Sequence, residues 1–160
     1  MIYVKWVIFA LMNIAMNLVA FALSPIVAAW SVIAGDPNPR IFAWLYTHDA
    51  SLDGGQQQHP GQYPPGAKGF ALWWQRTCWV CRNPAYGFAA HVIGLSVADT
   101  RVTREVIPDG WKNRFYDKRS GRLIGFGYRL QTKKRDIWIG WAAPSHDDKT
   151  YMLKIKFKNR

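Results

Sequence analysis

From Trp6 to Ala34 the chain reads WVIFALMNIAMNLVAFALSPIVAAWSVIA, without one charged side chain. Wound as an α-helix, at 1.5 Å per residue, that run is roughly 40 Å long, more than the ~30 Å hydrocarbon core of a bilayer. A helix bathed in water shows a polar face along one side. Here only Asn13 and Asn17, with the milder Ser24 and Ser31, interrupt the apolar run. The pattern predicts a transmembrane or membrane-anchor helix over residues 1–35, tilted or kinked at Pro25. Two other readings stay open. A cleaved signal peptide would use Ala20-Phe21-Ala22, but its charged lead is the single Lys5 and the apolar run continues well past that point. The other is a helix wholly buried in a soluble protein.

Small and polar residues are phased within this run. Ala10, Asn13, Asn17, Ala20, Ser24, Ala28 and Ser31 recur at steps of three and four, which places them on one helix face. In lipid, small residues let backbones approach and Asn side chains bond across helices. The stripe predicts packing against protein, either a second copy of the chain or a partner.

Gly35-Asp36-Pro37-Asn38-Pro39 ends the helix, because proline cannot continue it and pushes the preceding residue extended. Phe42, Trp44 and Tyr46 follow as a headgroup-level anchor. Residues 47–67, dense in Gly, Pro and Gln, read as loop. Residues 68–82, KGFALWWQRTCWVCR, return to helical spacing, with Phe70, Trp73, Trp74, Thr77, Cys78 and Cys81 on one stripe. Leu72, Trp79 and Val80 lie off it, so this aromatic helix is apolar most of the way round and is either covered by the rest of the protein or half-sunk in a membrane interface. Asn83-Pro84 stops it. From about residue 92 the period changes to two. Strands are predicted at Trp111–Tyr116, Arg122–Gln131, Ile137–Ala142 and Thr150–Lys158. Short polar connections at 118–121, 133–136 and 144–149 suit hairpins. Together these predict an α+β fold in three parts. Residues 1–35 form the membrane helix, 36–97 an interfacial loop and aromatic helix, and 98–160 a basic antiparallel β-meander.

Charge sharpens that division. The chain carries a formal +11, and residues 98–160 hold sixteen bases against seven acids. Lys133, Lys134, Arg135, Lys154, Lys156 and Lys158 form a candidate basic patch, drawn to phosphates of nucleic acid or of anionic lipid. Lysines on an edge strand also discourage sheet-to-sheet aggregation, so a purely structural role stays open. Trp138, Phe126 and Tyr128 in the same strands can stack bases or fill the core.

The densest chemistry lies in THDASLDGG, Thr47–Gly55. Asp49, Ser51, Asp53 and Gly54 match the opening of a calcium loop, but the twelfth position is Pro60 rather than a bidentate Glu, and no helix pair flanks it. An EF-hand is excluded. Two readings remain: a turn whose Asp side chains accept backbone or internal hydrogen bonds, or an irregular metal or hydrolytic site using Asp49 and Asp53 with His48 or His59. Cys78 and Cys81 form one C-x-x-C at the end of a helix, without the second pair or the His spacing of a zinc site, and read as small apolar residues. No nucleophile elbow, P-loop or dinucleotide fingerprint occurs. No cofactor is implied, and an enzymatic role is left uncertain.

THDASLDGG, followed about thirty residues later by RNPAYGF (Arg82–Phe88), resembles a family of small bacteriophage proteins of uncharacterised function. These open with an apolar segment, then carry a T-x-D-x-x-x-D-G loop, a Trp-rich helix, an R-N-P-x-x-G-F turn and a short β-rich end. The likeness covers roughly residues 1–130. It implies a phage or prophage origin and a linked role for Thr47, Asp49, Asp53, Gly54, Arg82, Asn83, Pro84, Gly87 and Phe88. An ion pair from Arg82 to Asp49 or Asp53 would supply that link. The expectation is a membrane-anchored interaction or structural protein, non-catalytic, in the host inner membrane or on the virion. Its C-terminal domain would be cytoplasmic, and its partners would be the bilayer, a second copy or a host or virion protein. A metal-assisted hydrolase and a nucleic-acid-binding module on a membrane anchor are the alternatives.

Overall fold

The computed structural model describes residues 1–46, 51–143 and 149–159. Helix α1, Ile2–Ile33, is long and apolar enough to cross a membrane and is the one such helix among the described residues. Pro25 lies inside it and removes the N–H that Phe21 O would normally accept. The Ser24 hydroxyl donates to that carbonyl instead, at 2.8 Å, so the helix continues.

Two compact units divide the chain: Met1–Met12 with Ala89–Arg160, and Asn13–Phe88. The boundary falls inside α1, where the sequence pattern had set residues 1–35 apart as one part. In the Asn13–Phe88 unit, α1 is followed by α2, Gly54–Gln58, and α3, Gly69–Arg82. Proline at position 84 ends α3 as expected. Its buried face does not coincide with the aromatic stripe. Arg76, Thr77, Trp79 and Val80 are buried, while Phe70 and Trp74 stand out in the open. Trp79 packs edge-on to Tyr63 at 6.1 Å and lies against His59. The reason for the shift is Arg76, which hydropathy places outside and a carboxylate draws in.

The Met1–Met12 and Ala89–Arg160 unit is built on a six-stranded antiparallel sheet of order β1-β6-β5-β4-β3-β2. The strands are β1 Leu95–Ser96, β2 Thr100–Ile107, β3 Gly110–Asp117, β4 Leu123–Gln131, β5 Arg135–Ala142 and β6 Thr150–Asn159. The meander is the predicted one, extended by β2 and the two-residue β1. Gly121, at φ +68°, closes the β3–β4 turn. The 144–148 connection lies outside the described residues.

Two cross-strand rows define one face of this sheet. Val106, Trp111, Arg129, Trp138 and Lys156 stand opposite one another in turn, and beside them run Arg104, Asn113, Gly127, Gly140 and Lys154. Phe126 alternates with these on β4 and so points to the other face. There the start of α1 lies on it: Tyr3 and Trp6 reach the Phe126 ring at 5.0 and 5.6 Å, and Phe9 meets Trp141 edge-on at 6.4 Å. Phe115, Trp141 and Leu153 form the buried centre of the unit. Trp141 Nε1 donates to Ile93 O at 3.2 Å, so its polar atom is satisfied in the core.

Candidate functional site

The acidic loop is organised by one residue. Asp53 precedes α2, and its backbone N–H donates to Ser51 Oγ at 3.2 Å. Both its carboxylate oxygens are taken by Arg76 of α3, Nε at 2.7 Å and Nη2 at 2.8 Å. Arg76 Nη1 donates to Ser31 Oγ of α1 at 3.0 Å, and Ser31 in turn donates to Ala28 O. The Arg76 side chain is only 6 % exposed. A guanidinium so deeply placed requires a bidentate carboxylate, which satisfies its charge and its fork of donors together. The expected partner of Asp53 was Arg82, but that residue is exposed at the end of α3 and its place is taken by Arg76, one and a half turns earlier. Gly54 opens α2 and is buried. Thr47, His48 and Asp49 lie outside the described residues. With both Asp53 oxygens engaged, what the geometry offers is a structural hub joining α1, α2 and α3. No three His, Cys, Asp or Glu side chains converge among the described residues.

The RNPAYGF turn does meet the chain beside that loop. Ala85 N donates to Leu45 O, Gly87 N to Tyr46 O and Phe88 N to Trp44 O, at 3.0, 3.1 and 2.9 Å. Three successive backbone bonds thus pin the turn to the residues just before Thr47. Gly87 is required there, because a Cβ would strike the Ala43 carbonyl oxygen and come within 2.9 Å of Trp44 Cα. Asn83 caps α3 through its N–H to Val80 O, and Pro84 leads into Ala85, held at φ +49°. Tyr46 is buried under this turn, and burial, with the Asp36 charge adding to it, pushes its hydroxyl pKa up.

The helix stripe is covered by the chain itself. Ala20, Ser24 and Asn13 are 0, 1 and 8 % exposed, and Asn17 is half-buried. Ser24 Oγ lies 3.2 Å from Cys81 Sγ, and Trp73 Nε1 donates to Pro25 O at 2.8 Å. Ser24 and Pro25 thus meet α3 within the chain. Cys78 and Cys81 are free thiols; burial, then the neighbouring Cys81, raises the Cys78 pKa.

The basic patch separates into two groups. Lys133 and Lys134 are exposed in the β4–β5 turn, Arg135 opens β5, and Lys158 is exposed near the end of β6. Lys154 and Lys156 instead belong to a cluster that sequence spacing did not reveal. Trp111 and Trp138 meet edge to face at 5.4 Å. Arg104 lies 5.0 Å over the Trp111 ring; Arg129 and Lys154 lie 4.7 and 4.2 Å from the Trp138 ring. Asp136 accepts from Arg129 at 3.1 and 3.3 Å and from Lys156 at 3.2 Å. The Arg129 bonds first, and then Lys156, hold its carboxyl below the usual range against the effect of burial. One carboxylate therefore pairs with two of the four cations. Lys154 has its pKa lowered by burial first and then by Lys156 and Arg129. The signal available in sequence was the i, i+2 repeat of bases on β6 with a tryptophan on each of β3 and β5.

A model of one protein family matches residues 1–160, the whole chain. The chain belongs to DUF7338, a family of unknown function. No curated protein and no solved structure matches it. The DUF7338 chain therefore presents three built features: a helix with its small residues inward, an Arg76–Asp53 hub and a cationic, tryptophan-bearing sheet face.

Proposed function

We propose that this protein is a non-catalytic, membrane-anchored interaction protein, held to lipid by α1, with its basic sheet in water. What supports this is the inversion of α1. Ala20, Val27, Ala28, Ser24 and Ser31 are at most 1 % exposed, whereas Leu11, Leu18, Ile26 and Ile33 are 63, 65, 58 and 86 % exposed. Val4, Ile8 and Ile14 share the outward arc. The strip amounts to on the order of 1,000 Å² of apolar surface, against roughly 300–600 Å² for the largest patch on an ordinary soluble monomer.

Packing within the Asn13–Phe88 unit favours a sideways attachment over a crossing. There Ser24 meets Cys81 and Ser31 meets Arg76, both partners lying on α3. A crossing helix would carry the Arg76–Asp53 pair toward hydrocarbon, where charges are costly. Lipid on the outward arc alone avoids that cost. The resemblance to small bacteriophage proteins supports a phage or prophage origin, hence a host inner membrane or virion address and a host or virion protein as partner.

Fractionation of the tagged full-length chain tests the anchor. It should pellet with membranes and resist a carbonate wash, and Leu11→Glu with Leu18→Glu should release it while its melting temperature holds. A wild-type chain that stays soluble and monomeric without detergent refutes the reading. In sealed vesicles, tags at Met1 and at the C-terminus should be cleaved by protease from the same side; opposite sides refute the sideways attachment.

A further inference from the structure

We infer that the sheet face bearing Arg104, Trp111, Arg129, Trp138, Lys154 and Lys156 is a binding site for single-stranded nucleic acid. The argument starts from charge. These side chains occupy two adjacent cross-strand rows; of their four cations Arg129 and Lys156 share one carboxylate, Asp136, while Arg104 donates to the neutral Asn113 Oδ1, at 3.2 Å. Packing like charges this closely is unfavourable until an anion enters, and a row of cations across successive strands suits a linear polyanion. Burial and the two neighbouring cations already act against the charge on Lys154, as expected where a counter-charge is wanting.

Shape and chemistry then choose among polyanions. The cations are not flexible arms in open water. Arg104 is laid over Trp111, and Arg129 and Lys154 over Trp138, so the face is tiled by indole edges and guanidinium planes. Such surfaces stack unpaired bases, which duplexes keep paired and lipid headgroups lack. Gly127 and Gly140 stand opposite each other within the face, and Gly140 holds φ +103°. The start of α1 lies on the Phe126 side of the same sheet, opposite the basic face. The site stands on the sheet alone, whether or not α1 meets lipid.

The test uses the full-length chain in detergent and a fluorescently labelled oligothymidylate of about 16 nucleotides. Binding should weaken with salt, with log K falling by about 2 to 3 per decade for three to four phosphate contacts. The R104Q/K154Q variant should lose about tenfold or more in affinity at ~0.15 M salt, while K133Q/K134Q, with the same charge removed from the β4–β5 turn, should lose less than about twofold. Equal losses in the two variants would overturn the site in favour of diffuse attraction. So would a duplex of equal length bound as tightly, displacement of the oligonucleotide by mixed micelles carrying anionic phospholipid, or a flat salt dependence of the wild-type chain. The last measurement decides even if R104Q/K154Q fails to fold.

Discussion

Removing one partner at a time from the Arg76–Asp53 pair should produce unequal damage. In Asp53→Asn the Arg76 cation stays where it is, 6 % exposed, with only Ser31 Oγ and a neutral amide to face. In Arg76→Met the leftover charge is Asp53, 27 % exposed, which recovers water on its open side. An abandoned buried charge costs about 3–5 kcal/mol, and a partly exposed one less, here about 2 kcal/mol. Ser31 keeps its bond to Ala28 O in both variants. The double variant, which leaves no charge behind, should cost less than the sum of the two, with a coupling of about 3 kcal/mol. For a chain of this size 1 kcal/mol shifts the melting temperature by roughly 3 °C. Thermal unfolding followed by circular dichroism should therefore place Asp53→Asn about 10 °C below the wild type, Arg76→Met about 6 °C below, and the double variant near Arg76→Met. If Arg76→Met is the more damaging single change, or the two effects simply add, Asp53 is not the counter-charge that holds Arg76 inside.

Gly87→Ala drives a methyl into the Ala43 carbonyl and should cost about 3 kcal/mol, read as faster amide exchange at Ala85, Gly87 and Phe88. Because the Asp136 carboxyl titrates lower in the folded chain than unfolded, its stabilisation is present at neutral pH and disappears as pH falls through its folded value. The melting temperature of Asp136→Asn should accordingly be lower than that of the wild type at pH 7, and the two should converge as acid protonates the folded carboxyl, at a pH below the ordinary carboxylate range. Ala20→Leu overfills a site with no exposure and should cost about 1–3 kcal/mol without reducing lipid binding, whereas Leu18→Glu should reduce lipid binding and leave the melt in place.

Which of these features could be read in the sequence depends on how local their cause is. The strands β3 to β6 were legible because Tyr151, Leu153 and their counterparts alternate with polar residues between short polar turns. The edge strand β2 was not, since Thr100–Ile107 exposes most of its residues and has little apolar face to announce it. The inward set of α1 was legible because Ala, Ser and Asn at helical spacing mark close packing in any surrounding. The buried face of α3 was not legible, because the apolar stripe through Phe70 and Trp74 gives no sign that Arg76 is buried. What buries Arg76 is a carboxylate 23 positions away in sequence, which hydropathy does not register. The same non-locality substituted Arg76 for Arg82 as the partner of Asp53. The RNPAYGF motif signalled a constrained backbone, yet only the three bonds to residues 44–46 reveal what constrains it.

The order in which a ribosome delivers these parts has a consequence of its own. Ser31 leaves the ribosome 45 positions ahead of Arg76, and Phe9 long before Trp141. At about 5–20 residues per second the helix waits several seconds for either cover. During that interval it offers greasy side chains all round and resembles the segments that targeting factors capture. Lipid would then be its first companion, and the later halves of the chain would fold onto a rod already lying at the bilayer surface.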